Sequence, residues 1–84
     1  MWYVYFLRCK DNSIYTGITN DLKQRVDRHS QGKGCKYTAY RRPVKLIYQE
    51  EYPDKSTALK MESYLKGLSK NQKEEIAAAK MPKK

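Results

Sequence analysis

Residues 2–8, Trp-Tyr-Val-Tyr-Phe-Leu-Arg, are aromatic and apolar almost without interruption. That pattern suits a β-strand buried on both faces. Lys10-Asp11-Asn12 follows with turn chemistry. Residues 13–18, Ser-Ile-Tyr-Thr-Gly-Ile, read as a second strand, and the short connection predicts an antiparallel hairpin.

The register of that hairpin decides which side chains meet. A three-residue loop sets Cys9 against Ser13, Leu7 against Tyr15 and Tyr5 against Gly17. Side chains alternate with period two, so Tyr5 and Tyr15 then share a face as diagonal neighbours. Gly17 leaves an open space opposite Tyr5. A two-residue loop flips the parity and separates the tyrosines. The three-residue loop is the expected one.

Thr19-Asn20-Asp21 is a helix start. Over residues 21–31, Leu22, Val26 and His29 fall on one stripe. Arg25 and His29 are four residues apart and point the same way, beside the apolar contacts. Lys23, Asp27 and Arg28 form a solvated face. Gln31-Gly32-Lys33-Gly34 ends the helix and opens a loop over residues 31–42. Beyond Pro43, residues 44–49 predict a third strand, broken at Tyr52-Pro53-Asp54, and Asp54 can cap the next helix. In residues 55–67, Ala58, Leu59, Leu65 and Leu68 mark the apolar side. Glu62, three residues from both Leu59 and Leu65, falls on it, and Gly67 closes the helix. Ser69-Lys70-Asn71-Gln72 resembles a capping box opening a last helix through Ala79.

With 84 residues and 39% apolar content, one domain spans residues 1–79, and residues 80–84 are expected to be a disordered basic tail. Eighteen basic residues against nine acidic ones give a net charge of +9, which favours a polyanionic partner, with a solvated basic surface as the plainer alternative. The basic side chains cluster between Lys23 and Lys45: Lys23, Arg25, Arg28, Lys33, Lys36, Arg41 and Arg42, with Tyr37 and Tyr40 between them. Cations can neutralise phosphates and aromatic rings can stack on unpaired bases, so Lys23, Arg28, Lys33, Lys36, Tyr37, Arg41 and Arg42 are the candidate nucleic-acid contacts. Cys9 and Cys35 lack zinc-ligand spacing and fit a reduced protein, with a disulfide between them still open. The start lacks a signal peptide and no segment is long enough to span a membrane. A cytoplasmic protein is expected.

Cutting a phosphodiester requires a water to lose a proton, and charge on the phosphate to be met. The guanidinium of Arg25 can fork onto phosphate oxygens, with a surface arginine as the plainer alternative. A carboxylate on a buried stripe is costly unless paired or metal-bound, so Glu62 either binds a hard cation such as Mg²⁺ or pairs with Lys66. Tyr5 and Tyr15 are phenols of ordinary pKa near 10, about 0.1% ionised at pH 7, and are poor bases unless a cation lowers that value. Otherwise they are packed aromatics. His29 can accept a proton, orient Tyr5 or contact a phosphate, or it can be a packing residue.

Tyr3-Val4-Tyr5, Tyr15-Thr16-Gly17, the stretch Asn20-x-Leu22-x-x-Arg25-x-x-x-His29 and Ala58-Leu59-Lys60-Met61-Glu62 together resemble the GIY-YIG nuclease superfamily, in particular its small stand-alone bacterial proteins. The resemblance covers about residues 2–75. It implies an α+β fold, a three-stranded antiparallel sheet flanked by helices in the order β-β-α-β-α-α. It implies an endonuclease that hydrolyses DNA phosphodiesters with one Mg²⁺ or Mn²⁺ ion. Tyr5 is then the general base and Tyr15 positions phosphate or water. Gly17 allows close backbone approach, Arg25 stabilises the phosphate, His29 assists and Glu62 holds the metal. Tyr3 stands where the family has glycine, and Thr16 where it has isoleucine. Asn71 is the candidate for an asparagine the family often carries after the glutamate helix. Branched, damaged or non-specific DNA is the expected substrate, with RNA still open. A nucleic-acid-binding module that does not cut is the alternative, and a scaffold for an acidic protein is a third reading.

Overall fold

The computed structural model describes residues 1–80. The elements run β1 (Trp2–Arg8), β2 (Ile14–Thr19), α1 (Leu22–Ser30), α2 (Lys36–Ala39), β3 (Lys45–Tyr52), α3 (Lys55–Lys66) and α4 (Lys70–Lys80). The three strands form one antiparallel sheet in the order β2-β1-β3. The first strand is therefore central, and Val4, Tyr5, Phe6 and Leu7 are all buried, as the unbroken apolar run required. Val4 and Phe6 join Tyr48, Ala58, Leu65 and Ala77 in the main core, with α3 and α4 on that side. Phe6 and Tyr48 pack with ring centroids 4.6 Å apart. Alternation sends Tyr5 and Leu7 to the opposite face, where α1 and α2 lie.

The hairpin has the expected register: Leu7 pairs with Tyr15 and Tyr5 with Gly17. Its loop is Lys10-Asp11-Asn12, closed by Cys9 N–H to the Ser13 carbonyl at 2.9 Å. Asn12 takes the left-handed conformation at φ 72°, the usual third position of such a loop. The Asp11 carboxylate fixes the turn by accepting from Ser13 N–H at 3.1 Å and from its hydroxyl at 2.6 Å. On the other edge, β1–β3 pairing shifts by one residue between Phe6 and Leu7, leaving Ile47 as a bulge.

Helix ends follow the capping chemistry of the sequence. Asp21 caps α1 through Gln24 N–H at 3.1 Å, and Asp54 caps α3 through Thr57 N–H at 2.8 Å. Ser69 and Gln72 make the reciprocal capping box that opens α4. At the end of α1, Lys33 N–H bonds the Arg28 carbonyl and Gly32 N–H bonds the His29 carbonyl. That double closure needs Gly32 at φ +81°.

Four expectations change. The segment 31–42 is not all loop, because residues 36–39 form the short helix α2. The third strand runs three residues further than 49, to Tyr52. Leu59 does not belong to the apolar side of α3: it is 45% exposed, and the buried ridge is Ala58 and Leu65 with Met61 and Leu68 partly buried. At 100° per residue Leu59 stands a quarter-turn from Ala58, whereas Glu62 stands only about 40° away, on the flank of the ridge. Lys80, expected in the tail, is the last residue of α4, and residues 81–84 lie outside the described residues.

Candidate active site

Tyr5, Tyr15, Gly17, Arg25, His29 and Glu62 come from four elements. The sheet supplies the phenols. Tyr5 is 1% exposed and Tyr15 half-buried, with ring centroids 6.4 Å apart. His29, from the last turn of α1, is also 1% exposed and stands over both: its ring centroid is 6.0 Å from that of Tyr5 and 5.1 Å from that of Tyr15. Its Nε2 is 3.0 Å from the Tyr5 hydroxyl, and its Nδ1 is 2.7 Å from the Thr38 hydroxyl.

Two glycines make room for this packing. The space beside Gly17 is not open, as the register alone suggested, but filled by Tyr5. A Cβ at position 17 would stand 2.5 Å from the Tyr5 hydroxyl oxygen, 2.7 Å from Cζ and 3.0 Å from the Tyr15 ring. A Cβ at Gly34 would overlap the His29 ring, 2.6 Å from Cγ. Gly34 and Thr38 were not among the site residues expected from sequence, and Cys35 was read there only for its redox state. The segment that holds them shows no hydrophobic period, so only the structure connects them to His29.

The charges converge on the phenols. Burial does most to raise the Tyr5 hydroxyl well above its ordinary value, and a charge on Tyr15 adds to it, while Arg25 pulls it down. Tyr15 is pushed up to about 12, first by burial and then by Cys35, with Glu62 adding and Arg25 opposing. His29 is held below the usual imidazole value, first by burial and then by Arg25, so it is neutral at pH 7. Burial raises the Cys35 thiol, but hydrogen bonds, the Thr38 amide first, outweigh it and leave the thiol below its ordinary value. Cys9 and Cys35 are both free thiols.

Glu62, with its side chain 17% exposed, pairs with Lys66 at 3.3 Å one turn on. Among the described residues no three His, Cys, Asp or Glu side chains gather as ligands. Glu62 is the carboxylate whose charge reaches both Tyr5 and Tyr15. Asn71 is exposed in the first turn of α4, a helix that packs on β3 at the other edge of the sheet.

The basic residues divide. Lys23, Arg28, Lys33, Lys36 and Arg42 are exposed. Lys23 borders a groove with Tyr3, Leu22, Val26 and Leu46. Arg41 is already engaged: its Nε is 3.1 Å from the Asp11 carboxylate and its guanidinium lies 3.9 Å over the Tyr37 ring. Tyr37 in turn stands 6.0 Å from Tyr15, so Arg41 and Tyr37 extend the site toward a surface cleft of about 580 Å³ lined by Lys10, Asp11, Tyr40 and Arg41. Arg42 donates to the Ala39 carbonyl at 3.2 Å. No helix among the described residues is long and apolar enough to cross a membrane.

The family model described as "GIY-YIG catalytic domain" matches residues 1–75. The chain belongs to the GIY-YIG family. It is 49% identical over 80 residues to a UPF0213 protein of Clostridium perfringens, covering 95% of this chain and 86% of that one. It is 50% identical over 72 residues to the UPF0213 protein YazA of Bacillus subtilis, covering 86% and 73%. The solution NMR structure of a UPF0213 protein from Bacillus halodurans superposes with a TM-score of 0.63 at 43% identity, over 96% of this chain and 87% of that one. GIY-YIG domains are nuclease domains, so the chain's expected substrate class is nucleic acid.

Proposed function

We propose that the chain is a metal-dependent endonuclease that hydrolyses DNA phosphodiester bonds. The observation that carries this reading is the buried contact between the Tyr5 hydroxyl and His29 Nε2, 3.0 Å long, set within the fields of Arg25 and Glu62. A lone Tyr5 would be a poor base, because burial makes its phenolate scarce. Beside a neutral imidazole it need never become a free phenolate. As Tyr5 accepts a proton from the attacking water, its own proton can move to His29. Tyr15, the more exposed phenol, orients the water or phosphate. Arg25 meets the negative charge that grows on the phosphate oxygens.

Glu62 is the residue that would hold a divalent ion. A single carboxylate suits Mg²⁺ or Mn²⁺ held largely by water and by the substrate's own phosphate, and its lack of companion ligands argues against a closed metal cage. Such an ion supplies Lewis-acid stabilisation of the phosphate. Until DNA and metal arrive, Lys66 neutralises the carboxylate. The exposed cations Lys23, Arg28, Lys33, Lys36 and Arg42, with Tyr37, supply phosphate contacts and a stacking surface. Branched or damaged DNA, and a role in repair or recombination, belong to this proposal as its substrate range.

The Glu62–Lys66 ion pair favours one second reading, a nucleic-acid-binding module that does not cut. Incubating the protein with supercoiled plasmid and with branched DNA, with Mg²⁺ or with chelator, separates the two. Mg²⁺-dependent cleavage lost in Arg25→Ala and Glu62→Ala supports the nuclease. Salt-sensitive binding without cleavage supports the module.

A further inference from the structure

His29 is the single histidine of the chain, and both of its ring nitrogens are engaged in the interior. Thr38, in α2, is fully buried. Its hydroxyl has one proton to give, and three neighbours: His29 Nδ1 at 2.7 Å, the Cys35 carbonyl at 3.3 Å and Cys35 Sγ at 3.5 Å. The carbonyl can only accept. The Tyr5 hydroxyl also has one proton, and His29 Nε2 is the acceptor within its reach.

A buried proton without an acceptor is costly, so the network is solved by satisfying each one. Thr38 O–H donates to the Cys35 carbonyl. His29 Nδ1–H donates to the Thr38 oxygen. Tyr5 O–H donates to the lone pair of Nε2. The opposite tautomer puts a proton on Nε2, aims it at the Tyr5 oxygen, and strands the Tyr5 proton.

We propose that Thr38 is a positioning residue: its buried hydroxyl accepts from His29 Nδ1–H and thereby keeps Nε2 free to receive the Tyr5 proton. The catalytic consequence rests on the nuclease reading above, whereas the tautomer does not. In the reaction, the water oxygen bonds to phosphorus as the P–O bond to the leaving oxygen breaks, and that oxygen takes the electron pair. The water proton passes to Tyr5 Oη and the Tyr5 proton to Nε2. The imidazolium keeps its Nδ1–H bond to Thr38 and later returns the extra proton to solvent. Without the Thr38 oxygen, the Nδ1–H of that imidazolium loses its partner.

The groups facing the imidazole are Tyr5 from β1, Tyr15 from β2, Arg25 from its own helix and Thr38 from α2. Among the described residues, Thr38 is the hydrogen-bond partner of Nδ1.

The test is ring-nitrogen NMR of the ¹⁵N-labelled protein, with no assignment needed for a lone histidine, beside cleavage kinetics of Thr38→Val and Thr38→Ser. At neutral pH the wild type is expected to show Nδ1 protonated and Nε2 bare. Thr38→Ser keeps that pattern, and Thr38→Val loses it. Thr38→Val lowers kcat about 10–100-fold with KM little changed, and Thr38→Ser recovers most of it. Its imidazolium is destabilised, so the acidic limb of the kcat profile moves to lower pH. A wild-type spectrum with the proton on Nε2, or a Thr38→Val spectrum identical to wild type, overturns the proposal. A wild type that cuts no DNA defeats the nuclease reading instead, and the spectrum still decides the tautomer.

Discussion

Replacing Gly17 by alanine adds one methyl group at the most crowded point of the site. Its carbon would stand 2.5 Å from the Tyr5 hydroxyl oxygen and 2.7 Å from Cζ, against about 3.5–4.0 Å for an ordinary contact. Something must move by about 1 Å. The Gly17 backbone is held in the β1–β2 ladder, so the Tyr5 ring is what gives. The same shift disturbs the 3.0 Å contact between Tyr5 and His29. Overpacking of this kind costs about 1–3 kcal/mol. A chain of this length has about 4–13 kcal/mol in hand, so the variant stays folded. A 1 Å misplacement in a catalytic constellation lowers the rate about 100-fold. Urea unfolding followed by circular dichroism measures the first effect, and Mg²⁺-dependent plasmid cleavage measures the second. Gly17→Ala that is as stable and as active as wild type would refute the claim that this glycine exists to seat Tyr5 against His29.

Arg25→Lys keeps the charge but loses the planar fork, and is expected to cut about 10–100-fold more slowly with little change in stability, measured by cleavage rate and thermal melting. Lys66→Ala frees Glu62 from its 3.3 Å partner, so the Mg²⁺ concentration for half-maximal cleavage should fall by up to about 5-fold, as read from a metal titration at fixed DNA. Glu74 is bridged by Arg8 and Lys70, and these two, Arg8 first, hold its carboxyl down at about 2. A depressed carboxyl stabilises the fold above its unfolded value of about 4.3 and loses that contribution as pH falls toward 2. Glu74→Gln should therefore cost about 1 kcal/mol at pH 7 and progressively less as pH falls through about 2, measured by urea titrations across that range.

The hairpin was legible because its signals agree: an unbroken aromatic run, three turn residues and a glycine two positions beyond Tyr15 admit few registers. The caps at Asp21, Asp54 and Ser69 were legible for the same reason, since each is a local pattern of side chain to backbone. Spacing alone also put Arg25 and His29 on one side of α1 and Glu62 near the buried ridge of α3. Leu59 misled, because an apolar residue a quarter-turn off the ridge looks from sequence like part of it. The helix α2 was hidden, since its four residues carry no period. With it were hidden Thr38 and Gly34, whose importance comes from contacts to His29 that no local pattern encodes. The pairing of Arg41 with Asp11 joins residues thirty apart and depends on the hairpin loop meeting the end of α2.

In the proposed reaction Tyr5 acts as a proton acceptor rather than as a packed ring. Tyr5→Phe keeps the ring and removes only the hydroxyl that meets His29. Single-turnover cleavage of plasmid DNA in Mg²⁺ should fall at least about 100-fold in this variant while DNA binding changes little. A Tyr5→Phe protein that cuts at the wild-type rate would contradict it.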